Sequence, residues 1–294
     1  MKKLIVFVMI GMIAQLIDGS LGMAYGVTST TLLLTFGIAP AVASASVHLA
    51  EVVTTAASGV SHLKFGNVDR QMVLRLILPG AIGAFVGACF LSNLPGDIIK
   101  PYVSLFLLAL GFYIMYRFLF LRSPKEQTNH KKLSNKQLIP LGLLAGFLDS
   151  TGGGGWGPIT TPVLLTKRGI ETRKVIGTVD TAEFAVAVSA TLGFLISLGW
   201  EEVNWFWVGT LMLGGLMAAP IAAWLVKIMP SHLLGVLVGG LIILTNVRTL
   251  LHSWGISEDL HTSVYAAILF GWGTSLWWAI RNHRKMQLSN NLAS

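Results

Sequence analysis

The chain has 294 residues, of which 53% are hydrophobic and only 12% charged, and its mean hydropathy is +0.70. Apolar runs this long and numerous exclude a soluble globular domain and predict a multi-pass protein of the plasma or inner membrane. The formal net charge of +8 does not signal nucleic acid, because the basic residues fall in short loops between apolar runs and in the tail "RNHRK" (281–285), as cytoplasmic loops do. The single cysteine, Cys89, excludes an intrachain disulfide and any multi-cysteine metal site.

In chain order, Lys2, Lys3 and the apolar run after them imitate a secretory signal, but no small-x-small cleavage site follows. The segment is therefore expected to stay in the mature chain. Segment 4–36 is too long for one span and too short for two, and in it stands "IDGSLGMAYGVTST", starting at Ile17. Single spans are expected at 41–62, 70–91 and 98–121. A basic linker, 122–137, leads to segment 138–166, which carries "LDSTGGGGWGPITT" from Leu148. Further single spans follow at 174–198, 203–225, 232–251 and 262–281. Trp200, Trp205, Trp207, Trp254, Trp277 and Trp278 lie near the ends of these spans, where interfacial anchors belong.

Aligning Asp18 with Asp149 brings Gly22 onto Gly153, Gly26 onto Gly157 and Thr30 onto Thr161. One inserted residue later "HLAE" (48–51) meets "DTAE" (180–183), and Val68, Gly80 and Pro95 fall on Val203, Gly215 and Pro230. This is an internal duplication, with repeats over 1–121 and 138–251 and an extra C-terminal helix with a basic tail in 252–294. Broken at their glycine clusters, segments 4–36 and 138–166 each give two arms of roughly 10 to 15 residues, enough to reach the midplane and return. Basic residues flank segment 138–166 on both sides, which predicts that it enters and leaves on the cytoplasmic face. Equivalent loops have opposite polarity: "SHLKFGNVDR" is basic where "GWEEVN" is acidic. The expected fold is thus all-α, with two inverted repeats, each a broken re-entrant hairpin plus three transmembrane helices, and one further helix. This arrangement puts Lys2 and Lys3 outside, against their charge.

Irregular backbone at membrane depth is tolerated where it lines a cavity, and a helix starting there points unpaired amides into it. The expected substrate site is therefore Asp18, Gly19, Ser20, Gly22 and Tyr25 in one half, with Asp149, Ser150, Thr151, Gly152, Gly153, Gly154 and Trp156 in the other. Two facing helix N-termini would hold a small oxyanion without a buried arginine. The plainer reading is tight packing at the glycines, helix capping by the two aspartates, and interhelix bonding by the hydroxyls. A second group, His48, Glu51, Asp180 and Glu183, puts ionisable side chains at membrane depth, where they are paired, protonated or functional. These four are candidates for proton coupling or gating, with structural pairing as the alternative. Gly80, Gly83 and Gly87 fit close helix contact alone.

The broken "GGGGWGPITTPVLL" stretch, most specific from Gly146 to Pro162, and the duplicated four-segment plan resemble the TauE/SafE sulfite-exporter family of permeases. The first half departs from the family pattern, reading "GMAYGVTS" where a second glycine triplet often stands. The resemblance implies outward movement of small sulfur-containing anions such as sulfite or organosulfonates. With no P-loop string in the chain, energy would come from gradients. The expected partners are a small anionic substrate and the lipid bilayer, with homo-oligomerisation left open and nucleic acid excluded. No cofactor, metal or enzymatic activity is expected. The rival readings are a cation or metal-ion permease using the intramembrane acids, and an intramembrane enzyme or assembly protein.

Overall fold

The computed structural model describes residues 2–21, 23–64, 66–120, 134–165, 172–225 and 231–293. Most of the linker 122–137 lies outside the described residues, and so does Gly22. All regular structure among the described residues is helical. The first half holds α1 (Lys2–Leu21), α2 (Tyr25–Thr35), α3 (Pro40–Lys64), α4 (Arg70–Ser92) and α5 (Gly96–Phe120). The second holds α6 (Asn135–Gly152), α7 (Trp156–Leu165), α8 (Thr172–Leu198), α9 (Trp205–Leu225) and α10 (Ser231–Ser253), with α11 (Glu258–Ala293) following. The order is the same in both halves: a long helix, a short one, then three long ones.

Both predicted breaks are present, but the arms are unequal. α1 and α6 have 20 and 18 residues, and α2 and α7 have 11 and 10. The first arms exceed the 10 to 15 expected because each glycine cluster lies late in its segment. In addition, Ser134 caps α6 by accepting from Lys136 N at 3.3 Å, which starts that helix before Leu138. Among the described residues five helices are long and apolar enough to cross a membrane: α4, α5, and the stretches Lys174–Leu198, Gly235–Ser253 and Leu260–Asn282. Two of the seven expected single spans, α3 and α9, are not among them. α3 carries a row of polar residues, and in α9 the fully described residues end at Ala218, so only Trp205–Ala218 counts toward a span there.

Glycine sets the packing. α4 lies on α6, where Pro79 meets Gly142 and Gly87 meets Phe147 and Ser150. A Cβ at Gly83, Gly87 or Gly146 would overlap a carbonyl of the facing backbone. These helices run parallel, since contacting residue numbers rise together. α1 lies on α9 in the same sense, with Gly11 against Leu211 and Gly215 against Gln15. α8 runs parallel to α4 (Val186 on Gly80, Gly193 on Ala88) and antiparallel to α3 (Thr181 on Gly59, Phe194 on His48). α5 and α10 are antiparallel, with Gly111 against Ile242 and Phe118 against Gly235.

The outer face carries many exposed apolar side chains, and the largely apolar core encloses a set of buried polar ones. Leu74, Leu78, Ile82, Val86 and Phe90 form an exposed stripe along α4 at helical spacing, fit for lipid contact. Trp200 and Trp205 stack at 5.2 Å beside the α8–α9 turn, both exposed, as interfacial anchors are. Inside, Thr28, Ser29, Thr30, Ser44, His48, Glu51, Asp149 and Ser150 are all buried.

Candidate functional site

The second break is built by Gly153 and Gly154, at φ 68° and 153°, backbone that residues with a Cβ rarely adopt. The chain turns there, and Gly154 N donates to the Asp149 carbonyl at 2.9 Å. The Asp149 side chain reaches across the turn. Its Oδ1 accepts from Gly155 N at 2.6 Å and Trp156 N at 2.8 Å, capping α7. The first break has the same plan, with Tyr25 N donating to Asp18 Oδ1 at 3.3 Å. Ala24 stands at φ 94° in that turn, a left-handed conformation unusual for a residue with a Cβ.

The two breaks meet. Thr30 Oγ1 donates to the Gly153 carbonyl at 2.5 Å, and a Cβ at Gly154 would overlap the backbone of Gly26 and Val27. A Cβ on Gly26 would lie 2.8 Å from Gly153 O and 3.1 Å from Glu51 Oε1, so the Glu51 carboxyl borders the junction.

His48 of α3 ties this junction to the other half. Its Nδ1 lies 2.8 Å from the Ser44 carbonyl, which can only accept, so Nδ1 carries a hydrogen. Its Nε2 lies 3.1 Å from Asp149 Oδ2 and 4.0 Å from Glu51 Oε2. This contact joins the His48 ring to the Asp149 carboxyl across the two halves of the chain. One turn earlier, Ser44 Oγ donates to the Ser150 carbonyl at 2.6 Å. At the far end of α3, His62 Nε2 lies 3.9 Å from Asp180 Oδ2 of α8. Glu183, one turn further along α8 and half-buried, is within electrostatic range of Glu51, Asp18, Asp149 and Asp180.

The expected site residues therefore differ in what they offer a ligand. Asp18, Tyr25, Asp149, Gly153, Gly154 and Trp156 all stand at the junction. Gly19 and Ser20 lie in the last turn of α1, and the Ser20 side chain is outside the described residues. Ser150 Oγ lies 3.2 Å from the Gly146 and Phe147 carbonyls, and Thr151 Oγ1 donates to Phe147 O at 2.7 Å, so both hydroxyls are turned into their own helix. Trp156 is fully buried, and its Nε1 donates to Val179 O at 3.0 Å, tying α7 to α8. Gly152 packs against the Phe106 ring. Tyr25 OH reaches the Leu211 carbonyl at 3.5 Å, a long contact. Among the described residues the buried hydroxyls with no hydrogen-bond partner are those of Thr28, Ser29, Ser104, Thr161 and Thr191; Thr28 and Ser29 stand near the start of α2, and Glu51 Oε2 is in the same condition. Residue reading did not pick out Ser44; its contact on Ser150 joins residues 106 apart in sequence, although its place one turn before His48 on the same face was a signal.

Among the described residues no three His, Cys, Asp or Glu side chains form a metal-ligand set. A cavity of about 470 Å³ between α3, α8 and α9 is lined by Leu49, Val52, Val188, Leu192, Trp205 and Met212 among others, too apolar for an ion.

The fold and the buried polar junction define a polytopic helical membrane transporter with broken helices meeting inside it. The chain belongs to the sulfite exporter TauE/SafE family, whose family model matches residues 7–249. It is 68% identical over 268 residues to "Probable membrane transporter protein YtnM" of Bacillus subtilis (strain 168), covering 91% of this chain and 89% of that one. "Probable membrane transporter protein YdhB" of the same organism is 29% identical over 238 residues, covering 80% and 93%. No solved structure matches the chain significantly.

Proposed function

We propose that the chain is a secondary transporter of a small sulfur-containing anion such as sulfite or an organosulfonate, held where the two breaks meet, with outward transport coupled to protons. One observation carries this reading: the amides of Gly155 and Trp156 already hold a carboxyl oxygen, that of the chain's own Asp149. A substrate anion takes over these amides when Asp149 releases them. The orphaned hydroxyls of Thr28 and Ser29, one helix turn from the same junction, are further donors. The sulfur substrate class comes from the family description.

The inverted arrangement supports alternating access, and the packing directions support inversion. α4 runs parallel to both α6 and α8; α8 and α9 are joined by a short loop and so run opposite ways; α1 runs parallel to α9. It follows that α1 and α6 point in opposite directions. Rocking one half against the other would expose the junction to each side in turn.

Counterflow of labelled sulfite or a small sulfonate into preloaded proteoliposomes tests the proposal. The expected result is saturable uptake, and absence of saturable flux for every such anion rejects it. The second reading, a cation permease, is favoured by the gathering of Asp18, Glu51, Asp149, Asp180 and Glu183 in one buried region with only His48 and His62 beside them among the described residues. Glu51→Gln and Glu183→Gln separate the two. A cation path loses ligand binding outright, whereas a coupled anion path keeps binding and loses its pH dependence.

A further inference from the structure

α3 carries Ser44, His48, Glu51, Thr55, Ser58 and His62 three or four residues apart, one unbroken polar face along about 27 Å of helix. Such a face in a membrane helix is costly unless water or protein groups meet it. What opposes it changes along its length. α8 runs antiparallel and presents Asp180 and Glu183 near the His62 end, then Ala187, Ala190 and Phe194 toward the His48 end. Phe194 is fully buried with its ring 5.9 Å from that of His48, closing the far end. The near end is open: the His62 side chain is 26% exposed, beside the basic loop Lys64–Arg70. Between these ends three buried atoms have no hydrogen-bond partner: His62 Nδ1, Asp180 Oδ2 and Glu51 Oε2, the last on a residue only 2% exposed. Buried polar groups of this kind are commonly satisfied by water.

We propose that this face of α3 is a one-ended water and proton path, leading from the basic face of the membrane past His62, Asp180, Glu183 and Glu51 to the His48–Asp149 pair. Its role in transport rests on the anion reading above. A proton entering at His62 passes to Asp180 and then, through water beside Glu183, Ser58 and Thr55, to Glu51, whose Oε2 is 4.0 Å from His48 Nε2. In the proposed cycle the His48–Asp149 pair starts with one proton between its facing atoms. A second leaves His48 as imidazolium and Asp149 as carboxylic acid. A neutral carboxyl accepts amide hydrogen bonds more weakly than a carboxylate. Gly155 and Trp156 then turn to the substrate, so one positive charge enters with one negative charge. The ionisable groups facing the path are Asp18 of α1, Tyr25 of α2, His48, Glu51 and His62 of α3, Asp149 of α6, and Asp180 and Glu183 of α8, with Arg70 and Arg75 in the first turns of α4 near the entrance.

Two measurements test the path, one of them independent of any substrate. In a Cys89→Ser background, Ser58→Cys is exposed to a membrane-impermeant cationic thiol reagent in inverted vesicles and in right-side-out spheroplasts. Labelling from the basic face alone is expected; no labelling from either face, or labelling from the opposite face alone, overturns the path. In pyranine-loaded proteoliposomes, His62→Ala should lose the proton uptake that accompanies anion influx while anion–anion exchange continues. His62→Asn serves if the alanine variant does not fold, and wild-type proton uptake in the variant refutes the route. If no anion moves at all, the transport reading has failed, and the labelling result alone decides the path.

Discussion

At the scale of single residues, Asp149 carries the most. It satisfies two amides of a helix start and its other oxygen lies 3.1 Å from His48 Nε2, all out of water. Asp149→Ala strands three polar groups and should cost about 3 kcal/mol, whereas Asp149→Asn, which can still accept from the amides, should cost nearer 1 kcal/mol. Thermal unfolding in detergent reads the difference, and equal losses would mean that the carboxyl does not hold the break together. Ala24 gives a prediction of opposite sign. Its φ of 94° is strained with a Cβ, so Ala24→Gly should stabilise by about 1 kcal/mol, seen as a raised unfolding midpoint. That aspartates cap these breaks was one of two readings open from sequence. What sequence could not give is how Ser150, Thr151 and Trp156 spend their donors, because back-bonding to a carbonyl one turn earlier depends on rotamer rather than residue type.

At the scale of elements, the breaks were legible because an acid followed by glycines has no ordinary place inside an apolar run. The arm lengths were less so: where α6 begins depends on a serine cap outside the hydrophobic segment. The Gly80, Gly83 and Gly87 row was read as a packing surface, and α4 does lie against α6 there. A side chain cannot be added at Gly83 or Gly146 without parting the two backbones. Gly83→Leu or Gly146→Leu should therefore cost 3 kcal/mol or more, roughly the upper end for overpacking, and yield aggregated protein in size-exclusion chromatography. Leu78→Ala, on the lipid-facing side of the same helix, should be nearly neutral in the same assay. The polar row along α3 was visible only in part from sequence. His48, Glu51 and Thr55 stood out as a face, but its continuation to Ser58 and His62 gains meaning only from the acids that α8 lays beside it.

At the scale of the whole molecule, the shared helix order of the two halves and the additional C-terminal helix could both be read from residue register and hydropathy. The contact between Thr30 and Gly153 could not, since it joins the two halves and no pattern within one half specifies it. The proposed topology has its own test. In the Cys89→Ser background, Glu201→Cys in the acidic α8–α9 turn should react with an impermeant reagent added outside intact cells, and Thr128→Cys in the basic linker should react only after lysis. Equal reactivity at both would end the inverted arrangement. The central claim, however, concerns place: a sulfur oxyanion sits at the start of α7, on amides that Asp149 otherwise occupies. An experimental structure with 2-bromoethanesulfonate bound, located by anomalous scattering from bromine, tests it directly. The account predicts the sulfonate oxygens within hydrogen-bond distance of Gly155 N and Trp156 N, with the Asp149 carboxyl turned away. A sulfonate bound elsewhere while Asp149 still caps α7 would contradict it.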